Sequence, residues 1–124
     1  MNIAEVIKTR SPDTKLKVGC VIVDNNHKIL STGYNGLPKK SNDNIDWTNR
    51  ELVHKLIIHA EINALLFSSK QGHILYTTTI PCSNCLKFIS ATDIKKIVYK
   101  YEYNDIINVK HIAEYLGIEI INLI

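Results

Sequence analysis

Apolar and polar positions follow two periods along this chain, and each change of period marks an expected element. A helical spacing covers Ile3 to Thr9 and stops before Pro12, because the residue ahead of a proline disfavours helix. The continuous apolar run from Val18 to Val23 predicts a buried strand. Turn residues follow it, so Lys28 to Gly33 is predicted to be the returning strand of a hairpin.

After a polar loop that runs to about Trp47, the pattern alternates helices with strands. The predicted elements are a helix from Thr48 to Ile57, a helix from Ile58 to Lys70 stopped by Gly72, a strand from His73 to Thr79, a helix from Pro81 to Phe88, a strand over Ile97–Tyr99, a helix from Ile106 to Leu116 and a strand over Ile118–Ile121. Strands joined by helical crossovers pair in parallel. We therefore expect an α/β fold of three layers, α/β/α, around a mixed five-stranded sheet whose last two strands are parallel.

Length and composition fit one globular domain over residues 1–124. Of the 124 residues 45% are hydrophobic, and no apolar run is long enough to span a membrane. The N-terminus lacks the features of a signal peptide and three cysteines cannot all pair, so we expect a reducing, cytoplasmic location. The net charge of +3 suits a small anionic substrate and is too modest for a nucleic-acid partner.

Two short clusters carry the candidate chemistry. Glu61 lies two residues after His59, and Cys82 and Cys85 form a Cys-x-x-Cys pair behind Pro81. One imidazole and two thiolates give Zn²⁺ three of its four tetrahedral ligands and leave a place for water, as in catalytic zinc sites. Taken alone, the cysteines also fit a redox pair or half of a structural zinc site. The whole set favours catalytic zinc with Glu61 as the proton shuttle.

His-x-Glu followed by Pro-Cys-x-x-Cys is the known signature of zinc nucleobase deaminases. Further segments resemble deoxycytidylate (dCMP) deaminases more narrowly, and these are Arg10-Ser11, Lys17 to Val23, Ser31 to Pro38 with Gly-Tyr-Asn-Gly-x-Pro, His59 to Ala64, and Ile97–Tyr99 followed by Tyr103. The resemblance covers most of the chain. It implies a cytidine-deaminase-like fold and hydrolysis of dCMP to dUMP and ammonia, a step of pyrimidine deoxynucleotide metabolism that supplies dTTP precursors.

The resemblance also implies roles for individual residues. Zinc would be bound by His59, Cys82 and Cys85, with proton transfer by Glu61. The implied substrate contacts are Asn35 on the sugar, Ala60, and a phosphate group of Arg10, Ser11, Lys15, Lys17 and Tyr103, among which the basic residue is left open. A 5′-monophosphate is a dianion, which suits one or two cations together with hydroxyl donors.

Similarity to this family bears on assembly and metal content as well. Its members are often hexamers regulated by dCTP and dTTP near the Gly-Tyr-Asn-Gly-x-Pro loop, so we expect a homo-oligomer, a hexamer being favoured, with these nucleotides as possible effectors. Lys39-Lys40 replaces the small residues usual after that loop, which leaves regulation open. Some relatives hold a second zinc before the His-Ala-Glu helix. Residues 39–53 contain neither cysteine nor histidine, so we expect one zinc per chain.

Three other interpretations stay open. A deaminase of dCTP, or of free cytidine or deoxycytidine, would use the same zinc mechanism. A polynucleotide deaminase is disfavoured by the modest charge and the few aromatic residues. A catalytically inactive, zinc-stabilised nucleotide-binding module would have no use for Glu61. Cys20 is expected to be a small buried hydrophobe, and His27, His54, His73 and His111 are interpreted as structural or surface residues.

Overall fold

Ten elements make up the part of the chain described by the computed structural model, residues 1–42, 44–103 and 105–123. In chain order they are α1 (Asn2–Lys8), β1 (Gly19–Val23), β2 (Ile29–Tyr34), α2 (Arg50–Leu56), α3 (Ala60–Leu66), β3 (Ile74–Thr79), α4 (Ser83–Ser90), β4 (Lys96–Tyr101), α5 (Ile106–Leu116) and β5 (Glu119–Asn122). Every predicted element is present. The polar loop predicted up to Trp47 includes Asp43, which lies outside the described residues.

Two differences from the predicted bounds lie directly beside the candidate clusters. The helix predicted over Ile58 to Lys70 begins only at Ala60, since Ile58 pairs with Gly36 in an isolated β-bridge. It ends at Leu66, well before Gly72. The helix predicted from Pro81 begins at Ser83, because Cys82 has extended backbone angles and serves as the N-cap. Both shifts place a predicted zinc ligand at a helix boundary.

A single five-stranded sheet has the strand order β2-β1-β3-β4-β5. Strand β1 is antiparallel to both β2 and β3, whereas β3 is parallel to β4 and β4 is parallel to β5. The mixed sheet with its last strands in parallel is therefore confirmed. The central strand β3 marks the change from antiparallel to parallel pairing.

Helices cover both faces of the sheet, as the three-layer prediction requires. Helix α1 packs on β1, β2 and β3, while α3 contacts the same strands, α4 packs on α3 and α5, and α5 contacts β5. The main core joins Ile22 and Leu75 of the sheet to Ala64 and Leu86 of the helices. All five residues of β1 are buried, as expected for a strand covered on both faces. Among the described residues, no helix has the length and apolar character needed to cross a membrane.

A glycine in β2 sets how closely α3 approaches the sheet. A Cβ atom at Gly33 would lie 2.3 Å from the Ala60 carbonyl oxygen and 2.5 Å from the Ala64 nitrogen, both backbone atoms of α3. Only glycine permits this contact without moving the helix. The Ser31 hydroxyl then donates to the Ala64 carbonyl oxygen at 2.7 Å. These contacts hold the helix whose N-cap is His59.

Candidate metal and substrate site

Three potential metal ligands converge where α3 and α4 begin. His59 is the N-cap of α3, Cys82 is the N-cap of α4, and Cys85 lies in the first turn of α4. His59 Nδ1 is 3.2 Å from Cys85 Sγ and 3.6 Å from Cys82 Sγ. All three ligand atoms lie within 4.8 Å of one another.

This spacing fits a tetrahedral zinc ion. Bond lengths of about 2.3 Å to sulfur and about 2.0 Å to nitrogen place tetrahedral ligands about 3.5–3.8 Å apart. Small adjustments of side chains that already lie at these distances would satisfy that geometry. Two sulfurs and one imidazole are also the donor set that zinc prefers, with one position left for a water or substrate. The residues present therefore fit Zn²⁺, and His59, Cys82 and Cys85 are positioned to bind it.

The two thiols and the imidazole are electrostatically coupled. A hydrogen bond from Cys85 is the main cause that lowers the pKa of Cys82 to about 4. The same hydrogen bond raises the pKa of Cys85. Interaction with Cys82 raises the pKa of His59, against the opposing effect of burial. Cys82 is accordingly the sulfur most readily present as a thiolate, the form that binds metal.

Glu61 extends from the first turn of α3 into the protein interior. It is 4% exposed, and the Thr77 hydroxyl of β3 lies 3.0 Å from its Oε1. Burial raises the pKa of this carboxyl group, while the Thr77 hydrogen bond and the nearby His59 act in the opposite direction. A buried carboxyl group with a raised pKa, two residues from a metal ligand, is suited to accept and return protons.

One pocket of about 490 Å³ contains this chemistry. Among the residues predicted from the sequence, its lining includes Lys15, Asn35, His59, Ala60, Glu61 and Tyr103. It also includes Thr79 and Ile80, at the carboxyl end of β3, where the sheet changes its mode of pairing. Crevices at the carboxyl ends of strands, next to a change in strand arrangement, are the usual ligand sites of open α/β sheets.

The family model described as the "Cytidine and deoxycytidylate deaminase zinc-binding region" matches residues 1–101. This chain belongs to that family. It is 33% identical to a probable deoxycytidylate deaminase of Caenorhabditis elegans over 106 residues, which cover 80% of this chain and 54% of the worm protein. It is 32% identical to the human deoxycytidylate deaminase over 117 residues, which cover 85% of this chain and 66% of that protein. The chain thus spans roughly half to two thirds of these relatives.

Solved structures of deaminases share this fold over most of the chain. The dCMP deaminase of the cyanophage S-TIM5, crystallised in complex with dCMP and dUMP, has a TM-score of 0.86 and 31% sequence identity. The match covers 98% of this chain and 92% of the phage chain. A cytidine deaminase of Mycobacterium leprae, at 16% identity and a TM-score of 0.54, shows the same fold. The cytidine-deaminase-like fold is confirmed.

Three of the residues predicted to bind the substrate phosphate do not line the pocket that contains His59 and Glu61. Arg10 lines a different groove, beside Gly36 and Pro38. The buried Ser11 hydroxyl donates to the Asn35 carbonyl oxygen at 2.7 Å and accepts from the Asp13 N–H. Lys17 is exposed on the approach to β1. Of the basic residues that the resemblance left open, the structure brings Lys15 to the pocket.

Asn35 ties together two parts of the pocket wall. Its Oδ1 accepts from the Val18 N–H and its Nδ2 donates to the Leu16 carbonyl oxygen, both at 2.8 Å. A side-chain amide has two acceptor lone pairs and two N–H donors, so capacity remains on both atoms for a ligand. Asn35 therefore orders the wall and still presents hydrogen-bonding groups to the pocket that it lines.

The structure adds Asp13, Arg50 and His54 to the lining, none of which was predicted from the sequence to bind a ligand. Arg50 Nη1 and Nη2 each donate to one oxygen of Asp13, at 3.0 Å. Burial acts to raise the pKa of Asp13, but the Arg50 hydrogen bond and backbone N–H groups outweigh it, so the pKa lies below its usual value. Asp13 and Arg50 are 37 residues apart in the sequence, so a local motif could not have predicted that they pair. His54, interpreted from the sequence as structural or surface, lies one helical turn beyond Arg50.

Proposed function

We propose that this chain hydrolyses dCMP to dUMP and ammonia. The observation that carries the proposal is that one pocket is lined both by the His59–Glu61 cluster and by the basic side chains of Lys15 and Arg50, of which Arg50 is paired with Asp13. A deaminase of free nucleosides needs the first group, whereas a nucleotide substrate also needs the second. Support comes from the phage dCMP deaminase, which was crystallised with dCMP and dUMP and matches this chain over 98% of its length.

Hydrolysis forms a C–O bond at C4 of the cytosine ring and breaks the C–N bond to the amino group. When bound, Zn²⁺ supplies Lewis-acid chemistry that makes water nucleophilic near neutral pH. Glu61 removes a proton from the attacking water, delivers a proton to N3 of the ring, and later protonates the amino group on C4, which leaves as ammonia. Ala60 begins α3, so its backbone N–H has no acceptor within the helix and is free to donate to the base.

The phosphate is assigned to the cationic part of the pocket. Both Nη atoms of Arg50 donate hydrogen bonds to Asp13. Within the part of the chain that the structure describes, the buried Nε of Arg50 has no hydrogen-bond partner. Among the described residues, the Lys15 side chain forms no ion pair. Burial raises the pKa of Tyr103, which keeps its hydroxyl protonated as a donor. These donors match a dianion that needs several charge-assisted hydrogen bonds.

Neutralising Lys15 tests this assignment with the least risk to the fold, since Lys15 is exposed. Lys15→Gln is expected to lower kcat/KM on dCMP by about tenfold to a hundredfold, because a hydrogen bond to a charged group is worth about 1.5–3 kcal/mol. The residual rate on deoxycytidine should be unchanged. Steady-state kinetics on dCMP, dCTP, cytidine, deoxycytidine and a cytosine oligonucleotide measure both effects.

The matched control is Lys28→Gln, which removes the same charge from the exposed β1–β2 turn. It should match the wild type on every substrate. Deoxycytidine turned over as efficiently as dCMP would contradict the phosphate assignment and leave the zinc chemistry intact. A preference for dCTP would contradict the named substrate, and no turnover of any cytosine compound by zinc-loaded protein would leave the binding-module interpretation.

Assembly and regulation belong to the same proposal. We infer a homo-oligomer, with a hexamer favoured, located in the cytoplasm and responsive to dCTP and dTTP. Support comes from a second groove of about 750 Å³ beside the loop Gly36 to Pro38, where Arg10, Lys39 and Trp47 offer charge and an aromatic surface. Light scattering is expected to give the mass of a hexamer, and addition of dCTP or dTTP is expected to change the kinetics on dCMP. A monomer with unchanged kinetics would contradict this part.

A further inference from the structure

Thr77 is the polar residue of β3 that reaches the proposed proton shuttle. It is fully buried at the centre of the sheet, where it pairs with Cys20 of β1 and Tyr99 of β4. Its hydroxyl oxygen lies 3.0 Å from Glu61 Oε1 and 2.9 Å from the Thr79 carbonyl oxygen. Placing a hydroxyl group in such a position is costly unless it is hydrogen-bonded, so its two partners define what it does.

We propose that Thr77 is a positioning residue that fixes the orientation of the Glu61 carboxyl group for proton transfer. The inference rests on the proposed function, in which Glu61 moves the protons. Glu61 lies in α3 and Thr77 lies in β3. The hydrogen bond between their side chains therefore connects the proposed proton shuttle to the central strand of the sheet. A glutamate side chain has three rotatable bonds, and holding Oε1 restricts the last of them.

A hydroxyl group suits this task because it both donates and accepts. Thr77 has one hydrogen and two possible acceptors, Glu61 Oε1 and the Thr79 carbonyl oxygen. Both partners lie within hydrogen-bond distance of one hydroxyl group, so the side chain links the Glu61 carboxyl group to the backbone of β3. Valine has the same shape and can form neither contact.

The test compares Thr77→Val, Thr77→Ser and Thr78→Val, each loaded with zinc. Thr77→Val is expected to lower kcat on the preferred cytosine nucleotide by about tenfold to a hundredfold with KM changed less than about threefold, because the lost contact is a hydrogen bond to a charged group. Thr77→Ser keeps the hydroxyl and should restore kcat to within about threefold of the wild type. In the Glu61→Gln background, Thr77→Val should have little further effect, since the carboxyl group it positions is gone.

Thr78→Val is the matched control, since Thr78 is the next residue of β3 and is also fully buried. Its hydroxyl accepts from the Gly19 N–H at 3.1 Å and does not contact Glu61. This variant should lower the melting temperature and leave kcat unchanged. Equal losses of kcat in Thr77→Val and Thr78→Val, or failure of Thr77→Ser to restore activity, would overturn the proposal.

A crystal structure of Thr77→Val gives a readout that does not depend on turnover. Glu61 should adopt a different or mixed side-chain conformation there, while His59 and the two cysteines stay in place. An unchanged Glu61 conformation would overturn the positioning role even if activity fell. Absence of any deamination by the wild type would instead refute the proposed function, and the conformation of Glu61 in the two crystal structures would still decide the role of Thr77.

Discussion

Glu61→Gln is expected to bind zinc and fold as the wild type does, yet to lose about 10²- to 10⁴-fold in kcat. Glutamine keeps the size of the side chain and can accept from Thr77, but it cannot carry a proton between water and the base. The other carboxyl group that lines the described pocket, Asp13, is held by Arg50 at 3.0 Å and is not placed to replace it. Kinetics on dCMP, zinc content and a thermal melt measure the three parts of this expectation.

Glu51→Gln provides the control for the charge change. Glu51 is exposed on α2 and lies 3.7 Å from Lys55 on the same helix, a surface pair of little energetic value. That variant should retain full activity. If Glu61→Gln kept kcat within tenfold of the wild type, the proton shuttle would have to be another group, and the Thr77 proposal would fail with it.

Cys85→Ser is expected to abolish zinc binding and activity together. Cys85 is 2% exposed, its sulfur is 3.2 Å from His59 Nδ1, and it supplies one of the three grouped ligand atoms. A serine oxygen is a poor substitute for a thiolate at zinc. Because the ligands lie at the first residues of α3 and α4, loss of metal should also lower the melting temperature.

The matched control for this variant is Cys20→Ala, since Cys20 is fully buried in β1 and is not among the grouped ligands. It should lose some stability through the cavity left behind and still hold one zinc per chain. Elemental analysis and thermal melts separate the two cases. Two zinc ions per wild-type chain, or an active protein that contains none, would contradict the single-site prediction.

The sequence specified the fold well wherever one period of hydrophobicity held over a whole element. The buried strand β1, the crossover strands and α5 all follow from such runs. Prediction was weaker where long-range contacts end an element. Ile58 continues the apolar pattern of α3, but its backbone pairs with Gly36, which no local rule shows. Cys20 is fully buried, as its place in an apolar strand predicted.

The candidate site divides in the same way. The grouping of His59, Cys82 and Cys85 follows from short, strongly constrained motifs, and the structure brings these residues together. Arg50 and Thr77 are not part of any such motif. Arg50 follows a polar loop in the sequence, and Thr77 is a residue type that is common in strands. Their roles depend on partners 37 and 16 residues away, and such distances are resolved only by the folded backbone.

The bridge between Gly36 and Ile58 has a consequence for how this protein can diversify. Two backbone hydrogen bonds, of 3.1 Å and 2.8 Å, close the ends of the intervening segment immediately beside Asn35 and His59. A loop closed at its base tolerates changes in length at small entropic cost. Insertions or exchanges within residues 37–57 can therefore alter Arg50 and His54 while the metal ligands stay in register. This segment can therefore change what the pocket accepts while the group of metal ligands is kept.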